Sequence, residues 1–146
     1  MRVREAIPPL IIATMLILAA TLLPLSGYRA HPHWDRVGWI PFADGRSKPW
    51  EMAANVLLFL PFGWTAARAL GSSRWAAIGA SFAALMLSCG VELAQVFAHG
   101  RVASATDVVV NVLGAALGAA LLVRAADDAQ RPLWAGLGSS RSSSQR

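Results

Sequence analysis

Four long apolar stretches, at residues 7–25, 52–70, 75–98 and 107–123, take up more than half of this chain and constrain its fold more than any other feature. Only Arg68, Glu92 and Asp107 carry charge inside them; every other Lys, Arg, Asp and Glu lies between or beyond. Backbone N–H and C=O groups inside a bilayer find no water, so a crossing segment of about 20 apolar residues must close its hydrogen bonds within a helix. Of 146 residues, 55% are apolar and 14% charged. That is too little charge to cover a soluble domain of this size, where about 25% is usual. The composition excludes a soluble globule and a disordered chain. The single cysteine, Cys89, excludes an internal disulfide framework.

The expected fold class is therefore all-α: an integral membrane four-helix bundle over residues 1–124, with an extracytoplasmic first loop. The first stretch opens on Pro8-Pro9, which suits a first helical turn. No small-x-small cleavage pattern follows it, so it reads as a retained span and not as a removed signal peptide. Pro61 and Gly63 in the second stretch are expected to bend or loosen that helix. Residues 125–146 are expected to form a polar, largely disordered cytoplasmic tail, because a Gly/Ser-rich stretch buries too little apolar surface to fold.

Thirteen Lys and Arg against eight Asp and Glu give a net charge of +5. The basic residues form no run and no aromatic-interleaved patch, which argues against nucleic acid. In a membrane chain they report direction, because cytoplasmic segments are enriched in Lys and Arg. The N-terminus, second connection and tail hold eight; the first and third connections hold five, including Arg29, Arg36 and Arg101. Both termini are thus expected in the cytoplasm. Trp39 and Trp50 then mark one interface, and Trp75 and Trp134 the other.

Polar residues are costly within spans, and their placement is where function is sought. Glu92 and Gln95 are three apart and share a helix face; His99 would extend that stripe by one turn. Asp107 and Asn111 are four apart, as are Glu51 and Asn55. Under the expected topology all three sets, with Arg101, fall in one slab near the outer face. The candidate binding residues are Asn55, Glu92, Gln95, Arg101, Asp107 and Asn111. Some of them have a plainer explanation. Ser104-Ala105-Thr106-Asp107 matches a helix capping box, Asn111 could join two helices by a hydrogen bond, and Glu92 could pair with Arg101. Gly114 and Gly118 form a GxxxG that suits packing within the bundle, or a homo-oligomer contact. His31, His33, His99 and Asp35 fall on the same side, but a His-Pro-His loop fixes no metal geometry, so no metal or other cofactor is expected.

These residues also carry a resemblance. Ile40-Pro41-Phe42, then Asn55 through Gly63 as N-x3-F-x-P-x-G, Glu92 and Gln95 as E-x2-Q, and Arg101, Asp107, Asn111, Gly114 and Gly118 in order, resemble the VanZ-like family of small bacterial membrane proteins. The resemblance covers about residues 38–123. It departs from the family at Trp39, where asparagine or leucine is typical. It implies a membrane bundle of the cell envelope. It also implies a link to resistance against the glycopeptide antibiotic teicoplanin, or to exopolysaccharide functions, and it assigns no catalysis.

Three functions remain open at this stage. The first is a non-enzymatic protein whose outer pocket binds a lipid-linked or glycan-like envelope component, or the antibiotic, in contact with membrane lipids. The second is an enzyme on such a component, with Glu92 as general acid or base and Asp107 as second carboxylate. The third is a non-catalytic membrane scaffold.

Overall fold

A computed structural model describes residues 3–43 and 48–130. Four α-helices form: α1 (Ile7–Leu22), α2 (Pro49–Ala69), α3 (Arg74–Gln95) and α4 (Ala105–Gln130), with short 3-10 turns at Val3–Glu5, Leu25–Gly27 and Trp34–Arg36. Among the described residues there is no strand, only two isolated bridges, Tyr28 with Ala98 and Gly38 with Ser104. By length and composition, α3 and α4 are long and apolar enough to cross a membrane; α1 is apolar but has 16 residues. By that measure the other two of the four expected spans do not stand out: α1 has 16 residues, and α2 carries Glu51, Asn55 and Arg68 among its apolar residues.

Three helix boundaries move from their expected places, each for a local reason. α1 stops at Leu22, because Pro24 holds the residue before it extended (Leu23, ψ 149°). α3 stops at Gln95 instead of Ala98, because the next residues pair with the first connection. Arg29 N–H donates to the Phe97 carbonyl at 2.8 Å, His33 N–H to Val96 at 2.9 Å, and His99 N–H to Gly27 at 2.8 Å. α4 runs on through Ala125 to Gln130 on a run of helix-forming residues. The rest of the expected disordered tail, residues 131–146, lies outside the described residues, as do Arg2 and Arg46 of the charge count.

Packing inverts the pattern of a soluble bundle. The core is built mostly of small side chains, Ala13, Ala66, Ala67, Ala80, Ala84, Ala115 and Ala119, around Ile17 and Phe59. The large apolar side chains face outward on every helix: Ile12 and Met15 on α1, Leu57 on α2, Ile78 and Phe82 on α3, Leu113 and Leu117 on α4. Small residues inside and large ones outside suit close helix contact in lipid, where the solvent gives no hydrophobic drive to bury leucine.

α2 and α4 make the tightest contact. A Cβ built on Gly63 would collide with the Ala115 backbone, one on Gly114 with Val56, and one on Gly118 with the Leu60 carbonyl. The glycine face of α4 is therefore covered by α2 of the same chain. Gly114 and Gly118 thus pack within the bundle, the first of the two uses expected of this GxxxG. α2 also continues through Pro61 without a break, and the Thr65 hydroxyl donates to the Pro61 carbonyl at 2.8 Å.

Candidate functional site

The site is assembled at the end of the bundle where α1 and α3 finish and α2 and α4 begin. Pro49 starts α2, and Glu51 accepts the Lys48 N–H at 3.3 Å, so the first turn holds Glu51 and, one turn on, Asn55. Ser104 starts α4: its hydroxyl accepts the Thr106 N–H at 3.1 Å. Ser104 thus caps the helix, but its own N–H, which the expected capping box assigns to Asp107, donates to Glu92; Asp107 and Asn111 follow on the cavity side of α4.

A cavity of about 600 Å³ opens between these ends. Its wall takes Ala20 and Thr21 from α1, Glu51, Ala54, Asn55 and Leu58 from α2, Glu92 and Gln95 from α3, and Asp107 and Asn111 from α4. The connection from Gly100 to Ser104 closes one side through Gly100, Arg101, Val102 and Ser104. All six candidate binding residues therefore line one cavity. His99 does not. Once α3 ends at Gln95 the stripe is broken, and His99 turns to the loops, its ring 5.5 Å from that of His33, which lies 4.8 Å from His31. The three rings meet edge-on, and no group of three potential ligands among the described residues has a metal-holding arrangement.

Several wall residues are committed to the fold itself. Glu92 Oε2 accepts the Ser104 N–H at 2.7 Å, tying α3 to the start of α4. Gln95 Nε2 donates to the Thr21 carbonyl at 3.0 Å. Arg101 Nη2 donates to the Ala20 and Leu23 carbonyls at 3.3 and 3.2 Å, where α1 ends and its last carbonyls lack helical partners. Asn111 Nδ2 donates to Ser88 Oγ at 2.9 Å, and its own Oδ1 has no partner among the described residues. Glu92, Gln95 and Asn111 are 9%, 7% and 2% exposed, so these contacts are made largely out of water. The ion pair expected between Glu92 and Arg101 is replaced by these separate backbone contacts.

A second hollow of about 370 Å³ lies against the same pair of helices. It is almost wholly apolar, walled by Val37, Cys89, Leu93, Val96, Ala103 and Val108 and flanked by Trp34 and Trp39, whose rings stack 6.2 Å apart. Glu92 and Ser104 belong to both walls. A polar cavity and an apolar groove thus share the Glu92–Ser104 hydrogen bond as a boundary.

Sequence reasoning missed Ser88 and Thr21, and read Ser104 only as part of a helix cap. Ser88 was within reach, since it stands four residues before Glu92 on the same face. Thr21 contributes through its carbonyl, which no side-chain pattern reveals.

A family model described as VanZ/LLP1 matches residues 10–126. No curated protein and no solved structure matches the chain.

Proposed function

The chain belongs to the VanZ/LLP1 family, and on that premise we propose that it is a multi-pass protein of the bacterial cytoplasmic membrane that binds the polar head of a lipid-linked or glycan-like envelope component. In this reading all four helices cross, both termini are cytoplasmic, and the polar cavity opens near the outer face. The observation that carries the reading is the meeting of polar cavity and apolar groove at Glu92 and Ser104. An amphiphile needs both: hydrogen-bonding groups for its head and a dry surface for its chain. The outward belt of large apolar side chains on all four helices supports the membrane setting.

The alternative of an enzyme with Glu92 as general acid or base has less support, because Glu92 already accepts a backbone N–H at 2.7 Å. A pure scaffold would not need a cavity of about 600 Å³ walled by polar side chains.

The test is complementation of a deletion strain, read as envelope integrity and teicoplanin susceptibility. Asn55→Ala and Asp107→Asn proteins should reach the membrane at wild-type levels and fail to restore the deletion phenotype. Full restoration by both would overturn the binding role of the cavity.

A further inference from the structure

The head-group reading leaves open which chemistry the cavity accepts, and the inference here rests on that reading. Three carboxyl groups, those of Glu51, Glu92 and Asp107, line the cavity against the one guanidinium of Arg101. Glu51 is partly offset by Lys48, whose ammonium stands 3.9 Å away at the exposed rim. Deeper in, the carboxyl groups of Glu92 and Asp107 stand against Arg101 alone.

Hydrogen bonding points the same way. Part of the wall's donor capacity is spent on the fold: Arg101 Nη2 on the α1 carbonyls, Gln95 Nε2 on Thr21, and Asn111 Nδ2 on Ser88. One buried acceptor is unspent. Asn111 is 98% buried in the sense that only 2% of its surface is exposed, and its Oδ1 has no donor among the described residues. Buried amide oxygens are ordinarily satisfied, so one left without a donor on a cavity wall marks where a ligand's N–H or O–H belongs.

We propose that the cavity takes a primary ammonium group, carried as the head of an amphiphile. An ammonium brings three donors and a positive charge, and so answers both the unspent acceptor and the carboxyl groups. A phosphate or carboxylate head is acceptor-only when ionised and would face carboxyl groups of its own sign. A neutral sugar supplies donors and leaves the charge unanswered.

The test uses the full chain in lipid nanodiscs and three probes of equal chain length: decylamine, decyl glucoside and decyl phosphate. Binding is read by titration calorimetry. Decylamine should bind about tenfold more tightly than decyl glucoside, the scale of one charge-assisted hydrogen bond. Decyl phosphate should bind weakest. Glu92→Gln and Asp107→Asn, each checked for folding by circular dichroism, should remove that preference, so that decylamine binds each variant no more tightly than decyl glucoside does. Tighter binding of the glucoside or phosphate overturns the ammonium assignment and leaves the head-group site standing. A decylamine preference that survives both substitutions places the amine elsewhere and overturns the assignment too. Saturable binding of none of the three overturns both readings.

Discussion

Glu92 shows how one side chain can serve the fold and the cavity at once. Its Oε2 holds the Ser104 N–H at the point where the third connection turns into α4, so a substitution tests the two roles separately. Glu92→Ala leaves a buried N–H unpaired and should lower stability by about 1–3 kcal/mol, while Glu92→Gln keeps an acceptor and should cost under about 1 kcal/mol. Reversible unfolding in mixed micelles measures the contrast; equal losses would mean that this contact is not formed. His33 poses a pH question at the rim. Partial desolvation, and the nearby charges of His31, Arg36 and His99, hold its pKa below the ordinary imidazole value, against a smaller opposing pull from Asp35. The unfolded loop therefore binds a proton more readily than the folded one. The resulting stabilisation is present above the ordinary value of about 6.5 and is lost as pH falls through His33's own lower value. Amide exchange at Tyr28, Arg29 and His33, corrected for its intrinsic pH dependence, should rise between about pH 7 and pH 5 in the wild type. In His33→Gln that rise should flatten.

At the scale of elements, the contact between α2 and α4 depends on glycine. A methyl group at Gly63 or Gly118 would overlap backbone atoms of the opposite helix, which no rotamer can relieve. Gly63→Ala and Gly118→Ala should therefore destabilise by about 2–3 kcal/mol, as overpacking does. Gly90 in α3 has nothing within 4 Å of such a methyl, so Gly90→Ala should be neutral or stabilise by up to about 1 kcal/mol. Thermal unfolding of the three variants in one detergent decides it; a similar loss at Gly90 would remove the argument from close approach. This contrast also marks what the sequence makes legible. Spacings of three and four put Glu92 with Gln95, Asp107 with Asn111 and Glu51 with Asn55 on shared helix faces, and those faces meet in the structure. The connections were not legible in that way. Arg101 reaches the end of α1, about 80 positions earlier in the chain, and the stacked Trp34 and Trp39 stand beside α3 and α4. Such contacts follow from how loops close over helix ends, and they leave no period in the residues themselves. The expected end of α3 at Ala98 failed for the same reason: its last turn was claimed by a loop that periodicity does not see.

For the whole molecule, the proposed direction across a bilayer can be tested, because the pairing of the connections fixes which ends of the helices lie together. The first and third connections are pinned to each other by backbone hydrogen bonds, Gly38 N–H to Ala103 and Ala105 N–H to Gly38 among them, so they must lie on one side. The turn between α2 and α3 stands at the opposite end of both helices, and there Arg68 lies 4.0 Å from Glu5 of the N-terminal segment. This end gathers Arg4, Arg68 and Arg74; counted with Arg2 and the four arginines from Arg124 onward that makes eight, against five in the first and third connections, so the proposed topology takes it as the inner side. Cysteine labelling turns that into a measurement. In a Cys89→Ala background, Val102→Cys and Leu70→Cys place single thiols on exposed positions of the two ends, 40% and 58% exposed. An impermeant maleimide added to intact spheroplasts should modify the Val102→Cys protein at once and the Leu70→Cys protein only after permeabilisation. The reverse order would turn the cavity toward the cytoplasm and exclude an outward-facing envelope ligand. Equal labelling of both before permeabilisation would mean that the two ends do not lie across a membrane from each other.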